Sequence, residues 1–297
     1  MGLMRPAIRI PATLLALIFA VAVSAPAQEA PTGETHESSA RPDVENLIQQ
    51  SGADVSIAFR SLDGGQELLI HADRPFRDSV AMKLPIMIEL FAQAQAGELR
   101  LTDMIRVRPI FHSVVDGTAY SVDPASGDEL ARNAGQLMTL RDLCEVMITR
   151  DSDIAANLLI EKLGLQSIQN RTHSIGADGM VLASYFDDEK AVAKGLRNAT
   201  TPHALMTILL ALAHNEVVDQ DASQEMIGIL ARSRLPGSIA YAPASQAVRT
   251  PTGDVHDADI VFGARSFVLV IDVRGLTDSQ ATAALVGQIA RLLAAAI

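Results

Sequence analysis

The segment Phe76-Arg-Asp-Ser-Val-Ala-Met-Lys-Leu-Pro-Ile-Met-Ile-Glu-Leu-Phe91 places a lysine at the mouth of a run that must be buried. From Lys83 to Ala96 the residues are strongly apolar, the pattern of a helix enclosed by the rest of a fold rather than laid on its surface. Pro85 falls in the first turn, where its missing N–H costs no helical bond. Lys83 is therefore carried into the interior with the helix. A lone buried ammonium costs several kcal/mol, so the fold must bring it an acidic or hydroxyl partner. Ser79, four residues earlier, shares its helical face and is the nearest hydroxyl; the alternative role for Ser79 is to cap the helix.

The two ends of the chain read differently. Residues 1–27 have the form of a secretory signal peptide: Arg5 and Arg9, an apolar run from Ala12 to Val23, then Ala25-Pro26-Ala27. The apolar run is short for a membrane span, so a stable membrane anchor is not expected. Residues 28–41 are rich in Glu, Ser, Thr and Pro and read as a disordered leader. Residues 42–297 are enough for one large domain. The expected destination is the periplasm or the medium. The formal charge of the 297-residue chain is −11, and without the two signal arginines it is −13, which argues against nucleic acid and anionic membranes as partners. The single cysteine, Cys144, lies in an apolar helical pattern and reads as a buried structural thiol. With no tryptophan and three tyrosines, a stacking surface for sugars or single strands is not expected.

Periodicity predicts a helix over 42–50, a hairpin of strands 55–59 and 67–71 around Asp63-Gly64-Gly65, and the helix from Lys83. Residues 98–136 read as mixed loop and short segments. Thr139 caps a helix running to Ile148, Asp151-Ser152-Asp153 interrupts the pattern, and 154–163 forms the next helix, closed by Gly164 and capped by Asp153. Thr201-Pro202 opens another helix, and 220–233 a further one. Apolar strands at 258–262 and 266–273 precede a final helix over 277–296. This order predicts an α+β fold: an antiparallel sheet built from both chain ends, flanking helices, and an all-helical lobe, about 98–215, inserted between them.

The segments Phe76–Phe91, Leu137–Thr149, Ala155-Ala-Asn-Leu-Leu159, Thr200-Thr-Pro202 and Thr252-Gly253 together resemble the class A β-lactamase branch of the penicillin-recognising serine hydrolases. The resemblance spans 42–297 and implies four catalytic elements. A Ser-x-x-Lys motif opens the core helix; here Lys83 is present but Val80 holds the serine position. Ser79 lies one residue early, a displacement that rotates a helical side chain by about 100°. A Ser-x-Asn motif delivers protons and holds the substrate amide; here it reads Asp151-Ser152-Asp153, and an ionised Asp153 cannot donate amide hydrogens. A Lys-Thr-Gly strand attracts the substrate carboxylate; here it reads Pro251-Thr252-Gly253 followed by Asp254, with Arg249 two residues back as the cation that strand alternation brings to the same face. A glutamate before Thr200 performs deacylation, and Glu189 is the candidate, its alternative being a surface partner of Lys194. With the nucleophile displaced, Asp151 or Asp153 is the expected partner of Lys83.

Asp254, His256, Asp257 and Asp259 lie close in sequence but lack a third ligand at metal spacing, so no metal or other cofactor is expected; the run reads instead as a sheet edge made polar to discourage pairing. Two functions remain. The first is an exported family member without serine chemistry, whose cleft binds a small molecule, a peptide or a partner protein, with a monomer as the expected state. The alternative is an active β-lactamase-like hydrolase of β-lactams or other amides and esters that uses Ser79 with Lys83.

Overall fold

The computed structural model describes residues 35–76, 81–122, 127–232, 246–249 (backbone), 255–263 and 265–297. Ser79, Val80 and Pro251–Asp254, together with the signal segment, lie outside the described residues. In chain order the elements are β1 (His36–Glu37), α1 (Arg41–Ser51), β2 (Asp54–Ser61), β3 (Gln66–Ile70), α2 (Leu84–Gln95), β4 (Met104–Arg106), β5 (Ile110–His112), β6 (Ala119–Ser121) and β7 (Leu137–Thr139). They continue with α3 (Leu140–Thr149), α4 (Asp153–Leu163), α5 (Leu165–Ser174), α6 (Glu189–Ala193), α7 (Pro202–Ala213), α8 (Gln220–Ala231), β8 (Gln246–Arg249), β9 (Val255–Val261), β10 (Phe267–Arg274) and α9 (Ser279–Ala296).

The fold is α+β. Six strands form one sheet in the order β1-β3-β2-β10-β9-β8, antiparallel except for the short parallel pairing of β1 with β3. The central strands β2 and β10 come from opposite ends of the chain and pair along eight residues each, Asp54–Ser61 against Arg274–Phe267. β10 is buried on both faces from Phe267 to Val273, because helices cover the sheet on both sides. Phe59, Leu269 and Ile271 share a core with Val44 of α1 and Leu285, Val286 and Ile289 of α9. Ala58, Val268 and Val270 point the other way, into the large core formed with α2, α3, α4 and α7. α2 lies inside that core: Leu84 through Ala92 are all buried, as an apolar helix without a polar face requires.

Several sequence expectations need correction. Residues 36–41, assigned by composition to the leader, belong to the fold: β1 pairs with β3, Ser38 N donates to Glu67 O, and α1 starts at Arg41. The run ending at Asp259 is no sheet edge. β9 is paired on both sides, with β8 as the strand outside it, and Asp257 and Asp259 are 1% and 3% exposed. The pleat turns both toward the face carrying Ile271 and Leu269, and His256 toward the opposite one. Gly164, at φ 88°, closes α4 as expected, but a helix that was not expected follows it at once, so this glycine joins two helices. The second of these, α5, gave little periodic signal because only Ile168 and Thr172 are buried. The inserted lobe of about 98–215, expected to be all-helical, also holds two small ribbons, β4–β7 and β5–β6, among the loops and short segments expected there.

Candidate functional site

Lys83 ends the 3-10 turn Ala81–Lys83 that leads into α2, and its side chain is 0% exposed. Its ammonium meets Asp151 twice, donating to the backbone carbonyl at 2.8 Å and to the carboxylate. Asp153 Oδ1 lies 2.7 Å from Nζ in an ion-pair contact that is off the line of a well-aligned hydrogen bond. The Phe186 ring covers the ammonium from 5.1 Å, a cation–π arrangement. Asp151 holds this position with φ at +56°, a left-handed conformation that Asp tolerates better than most residues. In this turn its own carbonyl and carboxylate both face Nζ.

Ser152 is committed elsewhere. Its Oγ accepts from Ala155 N at 3.1 Å, donates to the Asp128 carboxylate at 2.9 Å, and is the N-cap of α4. Asp153, expected as that cap, is instead the first residue of the helix. The cap needs a short side chain folded back on the backbone, whereas the Asp153 carboxylate is drawn to Lys83. Asp128 reinforces the junction by also accepting from Ile154 N and Leu130 N, each at 3.0 Å. Burial holds the Asp153 carboxyl above the usual carboxylate range, and the neighbouring charges of Asp151 and Asp187 push the same way while Lys83 opposes them.

The loop before α7 forms one wall. Phe186 is fixed at both backbone groups by Asn157 of α4, which accepts from its N–H at 2.8 Å and donates to its carbonyl at 2.9 Å. Tyr120 on β6 donates to the same carbonyl at 3.0 Å, and burial raises its phenol well above the usual tyrosine range. Asp188 caps α6 through Ala191 N and receives Ser113 Oγ at 2.9 Å and Val114 N at 3.0 Å, tying the loop to the β5–β6 ribbon. Glu189 is an exposed residue at the start of α6; among the described residues the carboxylates bonded to Lys83 are those of Asp151 and Asp153. Asp187, with φ at +59°, is the acid of this loop whose charge reaches Asp153. Sequence reasoning missed Asp187, Phe186 and Asn157, although a lone amide inside the apolar run 154–160 was a legible sign of a buried anchor.

On the far wall, Phe76 and Thr200 exchange backbone bonds at 2.8 and 3.0 Å, joining the chain just before residue 77 to the cap of α7, where Thr201 Oγ1 accepts from Ala204 N. Phe76 stacks on His256 with ring centroids 4.7 Å apart. His256 Nδ1 lies 2.8 Å from Asp272, which is paired with Arg274 at 2.7 Å. β8 ends at Arg249, in register with Val255. The geometry thus brings Lys83, Asp151 and Asp153 together, assigns Ser152 to structure, and leaves Glu189 apart. Cys144 is buried, and burial pushes its thiol up. Among the described residues no group of three or more His, Cys, Asp or Glu is arranged to hold a metal ion, and no helix is long and apolar enough to cross a membrane.

Comparison with known proteins agrees with this architecture. A beta-lactamase of Rhodobacter capsulatus is 26% identical over 206 residues, covering 69% of this chain and 67% of that protein. The crystal structure of a beta-lactamase from Sphaerobacter thermophilus superposes with a TM-score of 0.69 at 24% identity, covering 85% of this chain and 94% of that one. The structure of PBP-A gives 0.72 at 20% identity, covering 89% and 98%; these two likenesses show the fold. The family described as the beta-lactamase enzyme family matches residues 39–297, and the chain belongs to it.

Proposed function

We propose that this protein is an exported member of the beta-lactamase family that has lost serine acyl transfer and keeps its cleft to bind a ligand or partner. One observation carries the reading: the lysine that would take a proton from a nucleophilic serine is already surrounded by three oxygens, two from Asp151 and one from Asp153. Two of the ammonium's N–H donors are bonded to Asp151 and the Asp153 carboxylate sits against it, so the head of this side chain is held by two acids where the family needs it to serve a serine hydroxyl. Asp153 also stands where the family holds the substrate amide with an asparagine, and an ionised carboxylate repels the acyl oxygen that such a side chain should attract. Val80 in place of the nucleophile completes the loss, since acyl transfer needs an oxygen within about 3 Å of its target carbonyl. The N-terminal segment, with its arginines and apolar run, supports export.

The test is covalent capture. The protein without residues 1–27 is incubated with a fluorescent penicillin and measured by intact mass, with nitrocefin turnover in parallel. The expected result is an unmodified mass and no turnover. A stoichiometric adduct abolished by Ser79→Ala would overturn the reading in favour of a displaced nucleophile working with Lys83.

A further inference from the structure

We infer that the cavity beside the Asp151–Asp153 loop is a binding site for a small amphipathic anion, a carboxylate carried on an aryl or alkyl body. The cavity is about 380 Å³, within the range of sites that enclose small molecules. Its apolar lining comes from Leu130, Met138 on β7 and Val146 on α3, the first buried and the other two half-buried. None of its lining residues bonds to Lys83, so the inference does not depend on the reading of the cleft.

Charge selects the ligand's sign. Asp128 borders the cavity, but both its oxygens are engaged by Leu130 N, Ile154 N and Ser152 Oγ. Glu129 and Arg150 are paired with each other at 3.2 Å. That leaves Arg132, which is exposed and whose side chain makes no hydrogen bond or ion pair among the described residues. A guanidinium without a partner beside an apolar surface suits a carboxylate on a hydrophobic tail, because the fork pairs with both oxygens while the tail leaves water. Occupancy would also be felt at the lysine site, since Asp128 holds the first turn of α4 and Arg150 directly precedes Asp151.

The probe is 4-phenylbutyrate, titrated into isotopically labelled full-length mature protein while backbone amide shifts are followed, with 4-phenylbutylamine as the cationic counterpart. Saturable shifts at Leu130, Val146 and Ile154 are expected, with a Kd on the order of 1 mM for a ligand of this size. The amine should bind at least about fivefold more weakly, and Arg132→Gln should weaken phenylbutyrate by about fivefold. Because Arg132 is exposed and unbonded, the variant should melt as the parent does. Met138→Glu, which puts an acid on the apolar lining, should abolish the shifts. The inference is overturned by an absence of saturation at ten times that concentration, by equal affinity for amine and carboxylate, by an unchanged Kd in Arg132→Gln, or by shifts confined to residues around Lys83.

Discussion

Replacing Lys83 by methionine keeps the apolar stem and removes the ammonium. Asp151 and Asp153 then face each other without their cation, and the backbone carbonyl of Asp151 loses its donor. Breaking a fully buried ion pair by deleting one partner costs about 3–5 kcal/mol. Here the lysine is fully enclosed, but the aspartate side chains are 33% and 26% exposed, so water relieves part of the penalty. The expected loss is therefore about 2–4 kcal/mol at pH 7. At about 2–4 °C per kcal/mol for a chain of this size, the melting temperature should fall by roughly 5–15 °C. The loss has a pH signature. Two like charges at short range raise the folded-state pKa of the pair above its unfolded value. The variant's stability is then fully present below the unfolded carboxylate pKa and is lost as pH rises through the raised folded value. Melts by circular dichroism from pH 4 to 8 should show the gap between variant and parent widening with pH, and Lys83→Met/Asp153→Asn should recover part of it. A variant as stable as the parent at pH 7, or a gap that does not change with pH, would refute the claim that the lysine's main role is to neutralise these two acids.

Other outcomes follow from the same geometry. Asp153→Asn removes a carboxyl whose pKa burial has raised; the stability linked to that group is present below its unfolded pKa and lost as pH rises through the raised value, so the variant should melt above the parent at pH 7 and converge with it near pH 3.5. Val80→Ser alone should leave the protein inert to penicillin, whereas Val80→Ser with Asp151→Ser and Asp153→Asn should give a penicilloyl adduct by intact mass, because only the combination also removes both carboxylates from Lys83; equal labelling of the two proteins would count against that account. Asp128→Ala deletes the acceptor shared by Leu130, Ser152 and Ile154 and should cost about 1–3 kcal/mol in a urea titration, with faster amide exchange at the first turn of α4.

The parts legible in the sequence were those with local signatures. The apolar helix after Lys83, the caps at Thr139 and Thr201-Pro202, and the paired strands from the two chain ends all appear near their expected positions, because helical and strand periods register burial directly. The motif around Asp151 was legible as chemistry but not as geometry. A short acidic run before a helix suits either Ser152 or Asp153 as the cap, and only a lysine far away in the chain draws Asp153 out of that role. Glu189 shows the limit of counting along a variable loop: it lies outside on α6, while Asp187 is the acid whose charge reaches the site.

By itself the sequence determined that a lysine would be carried into the core on an apolar helix, and that Val80 and Asp153 stand where the resemblance calls for a serine and an amide. The pull of hydrocarbon out of water fixes the first, and the identity of single side chains fixes the second. Only the tertiary structure decided how the buried charge is matched. Asp151 bends into a left-handed turn to meet Lys83 twice, Asp153 joins it, and Ser152 is taken by Asp128. The same holds for β9, whose aspartates read as an edge but are enclosed between two neighbouring strands. Partners across space are set by the packing of whole elements, and no local period along the chain encodes them.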